Sequence, residues 1–238
     1  HNFSTQLNLE QLILLEHIML KLYGFDVSNY HNMLKLAMAL KGIDYEQITT
    51  YPNQSPEYLS VCPTGKVPAL QTESGVLIET NVIMEYLDEL NDTHPLYPTN
   101  SYEKARVKEL VKMVELYIEL PARRCHTEAF WGVPVHENTK KEVKRALYNG
   151  MQSLARAASF KPYLAGDTFS AADIFFLYSA DLASSVAKKL FDIDLMAEAP
   201  GAKELMTKLN ALPEVQKIAE ERKAAQPAFQ AYLKKAFA

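Results

Sequence analysis

The stretch Val67-Pro68-Ala69-Leu70-Gln71-Thr72-Glu73-Ser74-Gly75-Val76-Leu77-Ile78-Glu79-Thr80 decides how the first third of the chain folds. Residues 67–71 and 76–78 are short apolar runs separated by Glu73, Ser74 and Gly75, which is hairpin spacing. Just beyond, Val82, Ile83, Tyr86, Leu87 and Leu90 fall on one side of a predicted helix over 80–90. Upstream, Leu20, Leu22, Tyr23 and Phe25 predict a strand closed by the turn residues Asp26, Ser28 and Asn29. Met33, Leu34, Leu36, Ala37, Met38 and Leu40 then follow at helical spacing up to Gly42, and 45–50 predicts a second strand. Residues 52–63 read as irregular with one helical turn. The order is βαβ followed by ββα, a small α/β layer over 19–91.

Downstream the pattern changes. Residues 92–100 are polar and proline-marked and read as a linker. From 101 to 238 everything is helical in pattern: 102–130, which Pro121 should bend or break, then 137–160, 200–212 and 214–224. Another helix opens at Ser170, where Asp173 completes a capping box and Phe169 with Ile174 makes a hydrophobic staple. Its apolar positions, Ile174, Phe176, Leu177, Ala180 and Val186, predict a central helix. Residues 1–18 read as an N-terminal extension. Leu12, Ile13, Leu14 and Leu15 are its only continuous apolar run, and no Lys or Arg precedes Lys21, so it does not read as a signal peptide.

Composition narrows the function. A chain of 238 residues, 48% apolar and 23% charged, excludes wholesale disorder, and its eight glycines suit long helices better than a turn-rich sandwich. A net charge of −4 provides no basic field for phosphates, so no nucleic-acid partner is expected. No apolar run approaches the roughly 18 residues that read as a membrane span. Cys62 and Cys125 are too few for a disulfide framework or a four-cysteine zinc site, and a reduced, cytoplasmic protein without metal is expected. The glycines fit neither a dinucleotide nor a P-loop pattern, and no H-E-x-x-H occurs.

Five local patterns together resemble the cytosolic glutathione S-transferase family. They are Leu22-Tyr23-Gly24-Phe25-Asp26-Val27-Ser28; Pro63-Thr64-Gly65-Lys66-Val67-Pro68-Ala69-Leu70; Leu77-Ile78-Glu79-Thr80-Asn81; Ile83-Met84-Glu85-Tyr86-Leu87; and Leu164-Ala165-Gly166-Asp167-Thr168-Phe169-Ser170-Ala171-Ala172-Asp173-Ile174. The resemblance covers nearly all of 19–225. It implies a thioredoxin-like N-terminal domain, an all-helical C-terminal domain, glutathione as co-substrate, a small electrophile, a role in detoxification and a homodimer. Within the family it points to a serine-type, bacterial-like class.

The resemblance also implies roles for particular residues. A thiol of pKa near 8.5 is only a few per cent thiolate at neutral pH, so a donor must be aimed at the sulfur. Ser28, at the start of the first helix, fills that position, and the helix N-terminus favours an anion there. A serine at this place also serves as a plain N-cap. Val67, before a proline that is cis in the family, is expected to bind the cysteinyl backbone as an added strand. Lys66, helped by Asn53 or Gln54, matches a residue that meets the glycyl carboxylate, though a lone lysine is equally a solvated surface charge. Glu79 and Thr80 are expected to hold the γ-glutamyl ammonium and carboxylate. Tyr30 and His31 rival Ser28 and, with Tyr117 and Arg124, are candidates for the second-substrate site; Arg123 and Arg124 suit an anionic substrate, though an ion pair within the domain suits them equally, and Phe130 and Trp131 read as packing. The alternatives are a glutathione-dependent isomerase or disulfide reductase, or a binding module of the same fold without turnover. The turn Ser28-Asn29-Tyr30-His31 differs from the Ser-Ser-Cys-Ser turn of zeta-class isomerases.

Overall fold

A computed structural model describes residues 19–236; the extension expected over 1–18 lies outside the described residues. Strands β1 (Leu20–Gly24), β2 (Tyr45–Thr49), β3 (Ala69–Thr72) and β4 (Gly75–Ile78) form one sheet in the order β2-β1-β3-β4. β1 and β2 are parallel, as a helical crossover between them requires; β3 and β4 are antiparallel to their neighbours. That crossover is α1 (Asn29–Lys41). Leu22 pairs with Leu70, and Leu70 with Leu77, which aligns the apolar positions of three strands. The tight β3–β4 turn is fixed by Thr72, whose hydroxyl donates to the Gly75 carbonyl at 2.9 Å and accepts from the Ser74 amide at 3.1 Å. A second helix, α2 (Pro56–Val61), fills the stretch expected to be mostly irregular, with Ser55 as its cap. Phe25 falls just beyond β1 instead of within it.

Helix α3 (Thr80–Leu90) follows β4 directly. The proline-marked stretch after it is pinned down. Lys41, wholly buried, donates to Asp88 and to the carbonyls of Asn91 and Thr93, while Asp88 accepts from the amides of Leu96 and Tyr97. A buried ammonium this fully bonded replaces its lost hydration.

The helical half comprises α4 (Ser101–Val114), α5 (Leu120–Arg123), α6 (His126–Trp131), α7 (Glu137–Ala157), α8 (Ala171–Phe191), α9 (Ala202–Asn210) and α10 (Pro213–Ala236). The single long helix expected over 102–130 is divided. Glu115–Glu119 widens into a π-helical turn, and the chain breaks again between α5 and α6. Pro121 explains the first change, because it has no N–H to bond the Tyr117 carbonyl four residues back. Gly150 of α7 sits against that carbonyl, and a Cβ there would lie 2.2 Å from the oxygen.

The expected central helix is α8, where every residue from Ala171 to Ala180 is buried. Its start has both halves of the capping box: the carboxylate of Asp173 accepts from the Ser170 amide and also from the Leu164 amide, each at 2.8 Å. Asn29 at the start of α1 donates to the Tyr178 carbonyl of α8 at 2.9 Å, tying the two halves together beside Ser28.

Candidate active site

Where α1, the β3 entry and the start of α3 face the helical half lies a cleft of about 840 Å³. Ser28, Val67, Lys66, Glu79 and Thr80 all line it, on three separate elements brought to one wall by the sheet order. Ser28 has extended backbone angles, its carbonyl accepts the first helical bond from Asn32, and its hydroxyl oxygen accepts from the His31 amide at 3.4 Å. That contact is long, and it uses an acceptor lone pair only, so the hydroxyl proton remains able to donate into the cleft. Cap and donor are therefore compatible roles for one side chain.

Val67 precedes the β3 ladder, which starts at Ala69, and the Val67–Pro68 bond is cis. The Tyr58 hydroxyl donates to the Lys66 carbonyl at 2.7 Å and holds this segment. Lys66 itself is exposed. Glu79 has φ of 70°, a left-handed conformation that costs a side-chain-bearing residue about 1–3 kcal/mol and clusters at ligand sites. The turn sends β4 into the N-terminus of α3 inside the cleft, with Thr80 buried as the first helical residue.

Four other expected residues are placed elsewhere. His31 is wholly buried beneath β1, where a Cβ on Gly24 would collide with its ring. Burial, with Lys35 nearby, lowers its pKa to about 4, so it is a neutral core histidine. Asn53 closes a local turn, donating to the Tyr51 carbonyl and accepting from the Ser55 amide, so its amide is occupied away from the ligand wall. Arg124 pairs with Glu142 at 2.7 Å on the outer surface, and Tyr117 is half exposed on the π-helical turn; neither lines the cleft. Helical phase is the reason: a residue next to one that faces the cleft points about 100° away. Tyr30 does line it, with burial and the neighbouring Glu119 raising its phenol pKa above the ordinary value while Arg123 opposes them.

Of the facing wall, the sequence offered Arg123 as a contact for an anionic substrate and missed the rest. Arg123 lines the cleft, its guanidinium 4.7 Å from the centre of the Tyr30 ring and bonded to the buried Glu119. Phe130 and Trp131, read as packing, line it too, with the His126 ring tilted against Phe130 and edge-on to Trp131. α10 contributes Arg222, Gln226, Phe229, Gln230 and Leu233, a helical stripe on a helix that continues twelve residues past the expected end at 224. That i, i+4, i+7, i+8, i+11 spacing was the available signal, obscured by Pro227 within the run. Phe229 stacks on Phe25 with centroids 5.1 Å apart, Tyr232 stacks on Tyr51 at 4.1 Å, and Lys35 pairs with Glu221 at 2.6 Å. These contacts hold α10 across the cleft.

Among the described residues no cluster of three or more His, Cys, Asp or Glu is placed to hold a metal, and no helix is long and apolar enough to cross a membrane. Cys62 and Cys125 are both buried and outside the cleft.

A thioredoxin-like layer whose ligand wall is closed by an all-helical half is the fold of a glutathione transferase. Residues 22–95 match the family model described as glutathione S-transferase, N-terminal domain. A glutathione S-transferase of Pseudomonas putida strain F1 is 44% identical over 211 residues, spanning 89% of this chain and 96% of that protein. Poplar glutathione transferase F1 has the same fold, with a TM-score of 0.73 at 23% identity over 87% of this chain and 99% of that one. The maleylacetoacetate isomerase of Methylobacterium extorquens AM1, solved with malonate and glutathione bound, aligns with a TM-score of 0.66 at 27% identity, covering 83% of this chain and 95% of that chain. The chain belongs to the glutathione S-transferase family. It is a glutathione transferase, an enzyme that joins the thiol of glutathione to a small electrophile.

Proposed function

We propose that Ser28 is the residue that makes the thiolate, which places the enzyme in a serine-type class. The observation that carries this reading is a serine hydroxyl at the N-terminus of α1, lining the cleft with its proton still available to donate. Donation to sulfur and the helix dipole both stabilise the anion over the thiol. Val67 pairs with the cysteinyl backbone as an added strand. Glu79 accepts from the γ-glutamyl ammonium, the Thr80 amide and hydroxyl hold its carboxylate, and Lys66 meets the glycyl carboxylate. The thiolate then attacks the electrophilic carbon, the C–S bond forms, and the leaving group departs with its electron pair. The test is the pH dependence of conjugation in Ser28→Ala.

Conjugation is favoured over disulfide reduction through a protein thiol, because such exchange needs an accessible cysteine and both cysteines here are buried. A homodimer in the cytoplasm, serving detoxification, completes the reading. The exposed apolar residues Val76 on the edge strand β4 and Val82 and Leu90 on α3 supply a surface of the kind a second copy covers. Sedimentation at micromolar concentration tests the dimer.

A further inference from the structure

Glutathione, in the reading above on which this inference rests, accounts for Ser28, Lys66, Val67, Glu79 and Thr80. It leaves the charges of the facing wall without a role. Arg123 is built in: its Nε and Nη2 both reach Glu119 Oε1, at 2.7 and 2.6 Å, and Glu119 is wholly buried. One edge of the guanidinium is thereby anchored, its face rests on Tyr30, and it pairs with no carboxylate other than Glu119 among the described residues. Arg222, on α10, lies 3.8 Å from Asp181, too far for a hydrogen bond, and donates none among the described residues. The acid on this wall, Glu115, is already paired with Lys112 at 2.7 Å. His126 between them is neutral: burial, then Arg123, Lys189 and Arg222, lower its pKa to about 4. The rest of the wall is mostly apolar, with the rings of Phe130, Trp131 and Phe229 beside Leu120, Leu182 and Leu233, and carries the uncharged Gln226 and Gln230.

We propose that Arg123 and Arg222 select the second substrate, a flat apolar electrophile bearing a carboxylate, with its ring against Phe130, Trp131 and Phe229. Guanidinium edges suit a carboxylate because they present paired donors in a plane, and the aromatic surroundings exclude competing water. Glu119 acts as a positioning residue by fixing Arg123.

The experiment compares S-benzylglutathione with S-(4-carboxybenzyl)glutathione as competitive inhibitors of the full-length enzyme. The carboxylated conjugate is expected to bind about ten- to a hundredfold more tightly, the range of a charge-assisted hydrogen bond. Arg222→Gln, which breaks only the loose pair with Asp181, should cut that preference about tenfold while free glutathione binds as before. Arg123→Lys keeps the charge on Glu119 but loses the planar fork, so the preference should fall while the melting temperature holds. Equal binding of the two conjugates by the unaltered enzyme, or a preference untouched in both variants, overturns the proposal. If free glutathione itself does not bind, the reading of the ligand wall fails, and this inference falls with it.

Discussion

Replacing Ser28 by alanine separates its two roles, because their energetic signatures differ. The capping bond to the His31 amide is 3.4 Å long, so its loss costs the low end of the N-cap range, about 0.5–1 kcal/mol of stability. The bond to sulfur would be charge-assisted in a cleft partly shielded from water, and its loss costs about 1.5–3 kcal/mol of preference for the thiolate. At about 1.4 kcal/mol per pKa unit, the bound thiol's pKa should rise by roughly one to two units toward its ordinary value near 8.5. The assay is kcat/KM for a chloronitroaromatic electrophile from pH 5.5 to 9.5 at saturating glutathione. Well below both pKa values the variant should be about ten- to a hundredfold slower, and the deficit should shrink steadily as pH rises and the thiol ionises unaided. Tyr30→Phe is the control, since its phenol, with a pKa raised by burial, stays protonated and should leave the profile in place. A Ser28→Ala deficit that is constant across pH, or a loss of stability alone, refutes the thiolate role; a pH-dependent loss in Tyr30→Phe transfers it to the tyrosine.

Glu79→Gln should weaken glutathione binding about tenfold or more by calorimetry, through loss of a charge-assisted contact, with little change in thermal midpoint because Glu79 makes no side-chain capping bond. His31 has a folded pKa of about 4 against 6.5, so between those values the unfolded chain binds the extra proton and stability rises with pH. Its share, about 3 kcal/mol, is present above pH 6.5 and is lost by pH 4. Asp173, raised to about 6 by burial, contributes with the opposite sign over an overlapping window. The measurement is therefore the difference in denaturant stability between the unaltered protein and His31→Gln; parallel pH slopes would contradict the assignment. Phe229→Ala, by removing the stack on Phe25, should cost about 1–2 kcal/mol of α10 docking and expose 225–236 to protease several-fold faster, without unfolding the sheet.

Local chemistry made much of this protein legible from its sequence. The β3–β4 hairpin follows from Glu73, Ser74 and Gly75 between two apolar runs, α3 from the spacing of Val82 to Leu90, and the start of α8 from the reciprocal bonding that Ser170 and Asp173 can make within four residues. Ser28, Val67, Glu79 and Thr80 could be named because the motifs around them resemble those of the family, and each sits at an element boundary that its own neighbours define. What the sequence hid was the direction in which side chains point once helices pack. Arg123 and Arg124 are adjacent and alike in type, and only the phase imposed by the π-helical turn and Pro121 puts one in the cleft and the other outside. His31, Asn53 and Tyr117 were plausible by type and position, yet the core, a local turn and the outer surface claimed them. The far wall of the cleft comes from residues about one hundred to two hundred positions from Ser28, and its most distant part is there because α10 crosses back over the N-terminal layer through Phe229, Tyr232 and Glu221. Capping bonds and turns act over a few residues and leave a signature in the chain; which distant aromatic meets which is fixed only by three-dimensional packing.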